Sequence, residues 1–314
     1  MKASGRFKRI SHQYILSQLV DAGRKLPKLT ILNIALAIQW SGRFALDGVF
    51  GKLGGQSFVI LICSDLVSLD VVLAEIYEDE NYVSWKNFCV KLKGILKDQY
   101  DLQFFVSDGK KGLHQALKEE FQAIPRQLCK AHKLRRIFQI IPRIHGDAID
   151  RLFSRVATNA ILAKDQKEFR VYANLLKEFQ KSAFHSRLSE PHQNKLKKII
   201  GVLRYQQAQL HTRYNHPDLI GNDQTTNSHE GSINGFLKER MKLLRGFKKP
   251  EHLAPLVKLL IYYYRFHTFT SSNYPERNSM RPIELNNMAR PDILRNVVVG
   301  GKTWSWLKNL LSGS

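Results

Sequence analysis

From Arg43 onward the hydrophobic pattern changes period in a definite order, and that order restricts the fold more than any other feature of the chain. Three strand-like runs come first, Arg43–Phe50, Ser57–Cys63 and Asp70–Tyr77, divided by Gly51-Lys-Leu-Gly-Gly55 and Asp65-Leu-Val-Ser-Leu69. Residues 81–97 then switch to helical spacing, with Val83, Phe88, Val90, Leu92, Ile95 and Leu96 apolar and polar positions between them. A strand (Leu102–Val106), a helix (Lys111–Phe121), a strand (Ile124–Cys129) and a further helix follow. Short polar or Gly-containing breaks between β-rich runs predict an antiparallel meander. Strand–helix–strand units predict parallel neighbours on the same sheet. The expectation is therefore an α/β fold with a mixed sheet, in the order β-β-β-α-β-α-β-α.

The remainder is read as helical. Residues 146–224 carry periodic apolar positions (Ile149, Leu152, Phe153, Val156) and many basic residues, and predict an all-helical insertion. A helical pattern opens near Glu230, an apolar helix covers Leu253–Phe269, residues 270–292 read as loop, and Thr303–Leu311 as a short apolar tail. The expected divisions are a basic N-terminal arm (1–42), the first part of a core (43–145), the insertion (146–224), final core helices (225–269) and a C-terminal tail (270–314).

Three acids stand out against this frame. Asp47 lies inside an apolar run, Phe44-Ala-Leu-Asp47-Gly-Val-Phe50, and Asp108 ends another, Phe104-Phe-Val-Ser-Asp108. Glu230 begins a helical pattern in Thr225-Thr-Asn227-Ser-His-Glu230. A carboxylate in an apolar strand is costly unless paired, hydrogen-bonded or bound to metal. Parallel pairing of the first strand with the fourth would set Asp47 beside Asp108, and a helix across the sheet would bring Glu230. Clustered carboxylates repel without a cation and are the hard ligands that Mg²⁺ requires. Taken singly, each Asp-Gly is also an ordinary turn signal, Asp108 could cap the next helix, and Glu230 could be a first-turn acid.

Charge points the same way. The 314 residues contain 49 Lys and Arg against 27 Asp and Glu, a net charge of +22, which suits a polyanionic partner. No apolar run is long enough to span a membrane, and three cysteines, Cys63, Cys89 and Cys129, read as reduced buried thiols. Lys238, Arg240, Lys242, Arg245, Lys248 and Lys249 face one acid, Glu239, directly after the Glu230 pattern. They read as a track for DNA phosphates, with a solvated helix face as the alternative. Asn227 and Asn234 flank Glu230 at i−3 and i+4 and could orient its carboxylate, or Asn227 could be an N-cap. Cys129 and His132 have the spacing of half a zinc site, but no second pair completes four ligands.

Together Leu46-Asp47-Gly48, Val106-Ser-Asp108-Gly-Lys-Lys-Gly112, Cys129-Lys-Ala-His132 and Thr225-Thr-Asn227-Ser-His-Glu230 resemble the DDE transposases of the mutator type, over roughly residues 43–268. The resemblance implies a ribonuclease H-like fold with the helical insertion before the last acid. It also implies that Asp47, Asp108 and Glu230 are the metal-binding catalytic triad, holding two Mg²⁺ ions with Mn²⁺ as substitute. Cys129 and His132 would act beside the site, in packing or DNA contact. The implied activity is strand cleavage at transposon ends and strand transfer into target DNA, by a homo-oligomer in the cytoplasm, nucleoid-associated in a bacterium. The short stretch before Asp47 keeps two alternatives open: a non-catalytic DNA-binding remnant, or a cellular nuclease of the same fold.

Overall fold

The computed structural model describes residues 12–96, 102–142, 146–220, 230–243, 249–270 and 275–288. Helices α1 (His12–Lys25) and α2 (Leu29–Ala35) precede strands β1 (Ile38–Gln39), β2 (Arg43–Leu53), β3 (Gln56–Asp65) and β4 (Val71–Tyr77). Then come α3 (Tyr82–Leu96), β5 (Phe104–Ser107), α4 (Lys111–Glu120), β6 (Arg126–Leu128) and α5 (Lys130–Ile140). The expected alternation is therefore present, and the sheet is mixed, with strand order β4-β3-β2-β5-β6. β3 and β4 pair antiparallel from Val59↔Tyr77, with an irregularity between Cys63 and Ser64. β2 and β5 pair parallel, as do β5 and β6.

Local chemistry explains one departure from expectation. Gly51 was read as a break, yet β2 runs on to Leu53. A Cβ at Gly51 would stand 2.3 Å from the Phe58 ring, so the glycine makes room for a cross-strand aromatic rather than ending the strand. The turn itself is Gly54-Gly55, with φ of 57° and 87°. Two consecutive left-handed residues make the tight hairpin whose twist matches its strands. Residues 58–65 of β3 are buried at every position, as befits a strand covered on both faces.

By compactness the chain divides into two units: one of residues 1–41, 48–80 and 232–314, and one of residues 42–47 and 81–231. The second contains α3–α5, β5 and β6, and a run of helices: α6 (Ala148–Leu162), α7 (Gln166–Lys181), α8 (Ala183–Arg187), α9 (Glu190–Arg204), α10 (Gln207–Leu210), α11 (Thr212–Asn215) and α12 (Pro217–Ile220). Asp147 and Asp165 cap α6 and α7, accepting from the amides of Asp150 (2.9 Å) and Glu168 (2.7 Å). The apolar faces of α6, α7 and α9 meet in a core of Phe153, Ala157, Phe169, Leu176, Leu196 and Ile199. Leu128, Ile137 and Ile141 belong to the same core, so β6 and α5 share it with the helices of 146–220. α3 and α4 are joined by Lys86, whose Nζ lies 2.7 Å from Glu119 Oε2 and 2.5 Å from Glu120 Oε1.

The helix Glu230 opens is a π-helical turn (Glu230–Asn234) leading into α13 (Gly235–Leu243), which belongs to the other unit. Spacing arguments built on 3.6 residues per turn do not apply across that turn. The apolar helix α14 (Leu253–Phe266) ends three residues before the expected Phe269. It packs against α1, where Val20 meets Leu256 and the Cβ of a residue at 23 would stand 2.1 Å from the Pro255 carbonyl oxygen. Tyr262, Tyr264 and Phe266 are core residues. Arg265, wholly buried, pairs with Asp70 at the start of β4 through bonds of 2.7 and 2.8 Å, and Asn286 donates to the same carboxylate at 2.8 Å. The segment expected to be loop after residue 270 contains two 3₁₀ turns, Pro275–Arg277 and Pro282–Leu285, and a strand β7 (Asn287–Met288) paired antiparallel with β1. The tail 303–311 lies outside the described residues. Among the described residues no helix is long and apolar enough to cross a membrane.

Candidate metal centre

The register of two parallel strands builds the site. Leu46 of β2 pairs with Ser107 of β5, so the next residues, Asp47 and Asp108, leave the ladder abreast. The third parallel strand brings the third member. Cys129 N–H donates to the Ser107 carbonyl at 2.8 Å, which carries the β5–β6 ladder to the start of α5. His132 sits in the first turn of that helix. One carboxylate oxygen of Asp47, one of Asp108 and one ring nitrogen of His132 all lie within 4.8 Å of one another, each residue being half-buried. All three belong to the second unit.

Asp108 does not cap α4. The N-cap residue is Lys110, without a side-chain cap bond, and Asp108 Oδ1 instead accepts the Lys110 amide at 3.1 Å in a tight Asx turn. The turn and the cluster are therefore one feature. The Lys110 ammonium is pushed toward its neutral form by burial, while the negative charge of Asp47 pulls the other way. A cation thus stands close to Asp47, on the loop that carries Asp108. Two carboxylates and an imidazole form a donor set that a divalent ion fits, and the repulsion between the carboxylates is what such an ion relieves.

Cys129 is fully buried and outside this cluster; it occupies the N-cap position of α5 with no cap bond from its thiol. The Cys-x-x-His pair therefore divides, the histidine facing the acids and the cysteine packing in the core. The Glu230 backbone opens the π-turn, and Asn234, at its end, is buried. The Glu230 side chain, Asn227, Arg245 and Lys248 lie outside the described residues. Lys238, Lys242 and Lys249 are exposed, while Arg240 is half-buried, its guanidinium 4.1 Å above the Phe236 ring and 3.4 Å from Glu239.

A second group, Asp147, Asp150 and His192, also brings potential ligands within 4.8 Å. Here the charge is already met: Lys195 Nζ lies 2.6 Å from Asp150 Oδ2, and His192 Nε2 lies 2.8 Å from Asp147 Oδ2. It is an ion-pair network joining the first turns of α6 and α9.

A family model for the Mutator family of transposases matches residues 67–265. The chain belongs to the Mutator transposase family. The matched span contains Asp108, Cys129, His132, Glu230 and Asn234, whereas Asp47 precedes it and reaches the cluster through β2. No curated protein matches the chain. Within this Mutator chain, Asp47 stands beside Asp108 as the sequence predicts, and His132 joins the two acids as a third member of the cluster. The signal for His132 was present in its distance from a third strand parallel to the first two, since parallel strands in register end on the same side of a sheet.

Proposed function

We propose that the chain is a DDE transposase that cleaves DNA at transposon ends and joins the freed 3′ end to target DNA, with Asp47, Asp108 and Glu230 holding its Mg²⁺ ions in a ribonuclease H-like fold. The observation that carries this reading is the juxtaposition of Asp47, Asp108 and His132 just beyond the parallel β2–β5 ladder in a Mutator-family chain. The mixed sheet, with three strands in the meander and two parallel additions beside β2, supports the fold assignment.

The chemistry is an in-line displacement at phosphorus. Water attacks the phosphodiester, the P–O3′ bond breaks, and the products are a 3′-hydroxyl and a 5′-phosphate. In the second step the 3′-hydroxyl loses its proton and attacks a target phosphodiester, forming a new P–O bond as the target's own P–O3′ bond breaks and releases a target 3′-hydroxyl. Bound divalent ions would lower the pKa of the attacking hydroxyl and offset charge on the phosphoryl oxygens. Asp47 and Asp108 would supply the hard oxygen ligands, and Lys110 lies on the same loop as Asp108. The exposed lysines of α13 would track the DNA backbone. Partners in this reading are transposon ends, target DNA and further copies of the chain, in a nucleoid-associated complex.

Asp47→Asn should abolish Mg²⁺-dependent nicking of end-containing DNA, a loss of at least about a thousand-fold, as expected when charge stabilisation at the reacting centre is removed. DNA binding should persist or strengthen, because a charge that repels phosphate is gone. Cleavage by this variant at the wild-type rate would overturn the assignment. Nicking without strand transfer by the wild type would favour a nuclease, and binding without nicking a non-catalytic remnant.

A further inference from the structure

The loop that carries Asp108 is held from the helical insertion by a residue that no motif singles out. Tyr205 follows the last turn of α9, and its hydroxyl donates to the Gly109 carbonyl at 2.8 Å. On the other side of the same peptide group, the Lys110 amide donates to Asp108 Oδ1 at 3.1 Å. A trans peptide is planar, with its C=O and N–H pointing in opposite directions. Fixing the Gly109 oxygen therefore fixes the Lys110 N–H, and with it the carboxylate that N–H orients. Asp108 acts back on Tyr205: burial first, then the Asp108 charge, raises the phenol's pKa and keeps it a donor.

Tyr205 is itself immobilised. Lys133, a buried lysine of α5, donates from Nζ to the carbonyls of Val202 (2.6 Å) and Tyr205 (2.5 Å), and lies 5.2 Å from the centre of the Tyr205 ring. These carbonyls are the open acceptors at the C-terminus of α9, where a cation is favoured. Gln206 then turns the chain in the left-handed region (φ 50°). The segment beyond lands on β6: Thr212 Oγ1 donates to the Arg126 carbonyl at 2.7 Å, and the Arg213 amide to Gln127 Oε1 at 2.9 Å. Gly109 fits closely against this brace, a Cβ there falling 3.1 Å from Gln206 Oε1 and 3.3 Å from Tyr205 Cε1.

We propose that Tyr205 is a positioning residue for the metal centre: the insertion orients the Asp108 carboxylate through the Tyr205–Gly109–Lys110 relay. This rests on the reading of Asp47 and Asp108 as metal ligands. Partners that orient metal ligands typically change metal affinity 10–100-fold when removed.

The test is Tyr205→Phe in the full chain, which removes one hydroxyl and keeps the ring. Mn²⁺ binding to the DNA-free protein, followed by electron paramagnetic resonance, should weaken roughly ten-fold. The Mg²⁺ concentration for half-maximal nicking should rise by a similar factor, with the nicking rate at saturating metal, DNA affinity and thermal midpoint little changed. An unchanged Mn²⁺ isotherm would overturn the proposal, and so would weakening matched by an equal loss of folded protein seen by circular dichroism. Asp47→Asn in the same binding assay separates the two failures. If it too leaves Mn²⁺ binding intact, the metal centre is wrong; if it alone loses binding, only the Tyr205 relay is wrong.

Discussion

At the scale of single residues, the charged and titratable groups of the insertion show how burial decides protonation. His211 sits edge-on to Phe169, their ring centres 4.4 Å apart, and also packs against Tyr214. Among the described residues its Nε2 has no hydrogen-bond partner, and its neighbours Arg213 and Arg170 are cations. Burial, reinforced by those two charges, lowers its pKa to about 4. An unfolded histidine takes a proton near pH 6.5, whereas the folded one resists until about pH 4, so the unfolded state binds more protons in between. His211 should therefore cost the protein up to about 2–3 kcal/mol of stability as pH falls from 6.5 to 4. Urea unfolding at several pH values checks this: His211→Leu, with no proton to gain, should show a flatter acid slope, and an unchanged slope would place the acid sensitivity elsewhere. The Asp70–Arg265 pair is the opposite case, a buried charge met by a bidentate partner and by Asn286. Either residue alone would be an uncompensated buried charge.

Among elements, the close approach of α1 to α14 depends on a missing side chain. In α1, Gly23 would ordinarily gain about 1 kcal/mol of helix stability from substitution by alanine. Here the new methyl would lie 2.1 Å from the Pro255 carbonyl oxygen and 2.6 Å from its carbon, backbone atoms that no rotamer change can move. The clash outweighs the propensity gain, because overpacking of a fitted contact costs about 1–3 kcal/mol. Gly23→Ala should lower stability by about 1–2 kcal/mol net. A denaturant midpoint equal to or above wild type would show that α1 shifts freely on α14. The interface is further tied by Lys258 Nζ and Tyr262 Oη, which donate to the carbonyls of Leu26 (2.6 Å) and Pro27 (3.1 Å). Within residues 1–42, expected as a basic arm, α1 thus packs its apolar positions beside α14, and α2 buries Leu29 and Leu32.

For the molecule as a whole, the net charge of +22 sets how it meets a polyanion. Lys238 and Lys242 are both exposed and lie four residues apart on α13, on one helical face. If each neutralises one phosphate, the double substitution Lys238→Ala/Lys242→Ala should reduce the slope of log K against log[salt] by roughly two units. Nicking of saturating DNA should fall much less. An unchanged salt slope, measured by fluorescence anisotropy over a salt series, would mark this run as a solvated face.

What the amino-acid sequence determined by itself is local. Alternating and helical periodicity marks β2 to α5 in order, because this signal lies within a few residues of the structure it causes. The pairing of Asp47 with Asp108 was legible for a related reason: two apolar strands in parallel, one with an acid inside it and the other ending in one, bring the two acids abreast. Gly51 misled, because only the Phe58 ring across the hairpin shows why a glycine belongs inside a strand. His132 in the cluster, Tyr205 on Gly109 across 96 residues, and Arg265 on Asp70 across 195 were decided by tertiary structure alone. Each joins elements whose sequences carry no mark of one another. Charge and hydrogen-bond partners are chosen by proximity, and proximity across such distances exists only once the helices of the insertion and α14 have packed.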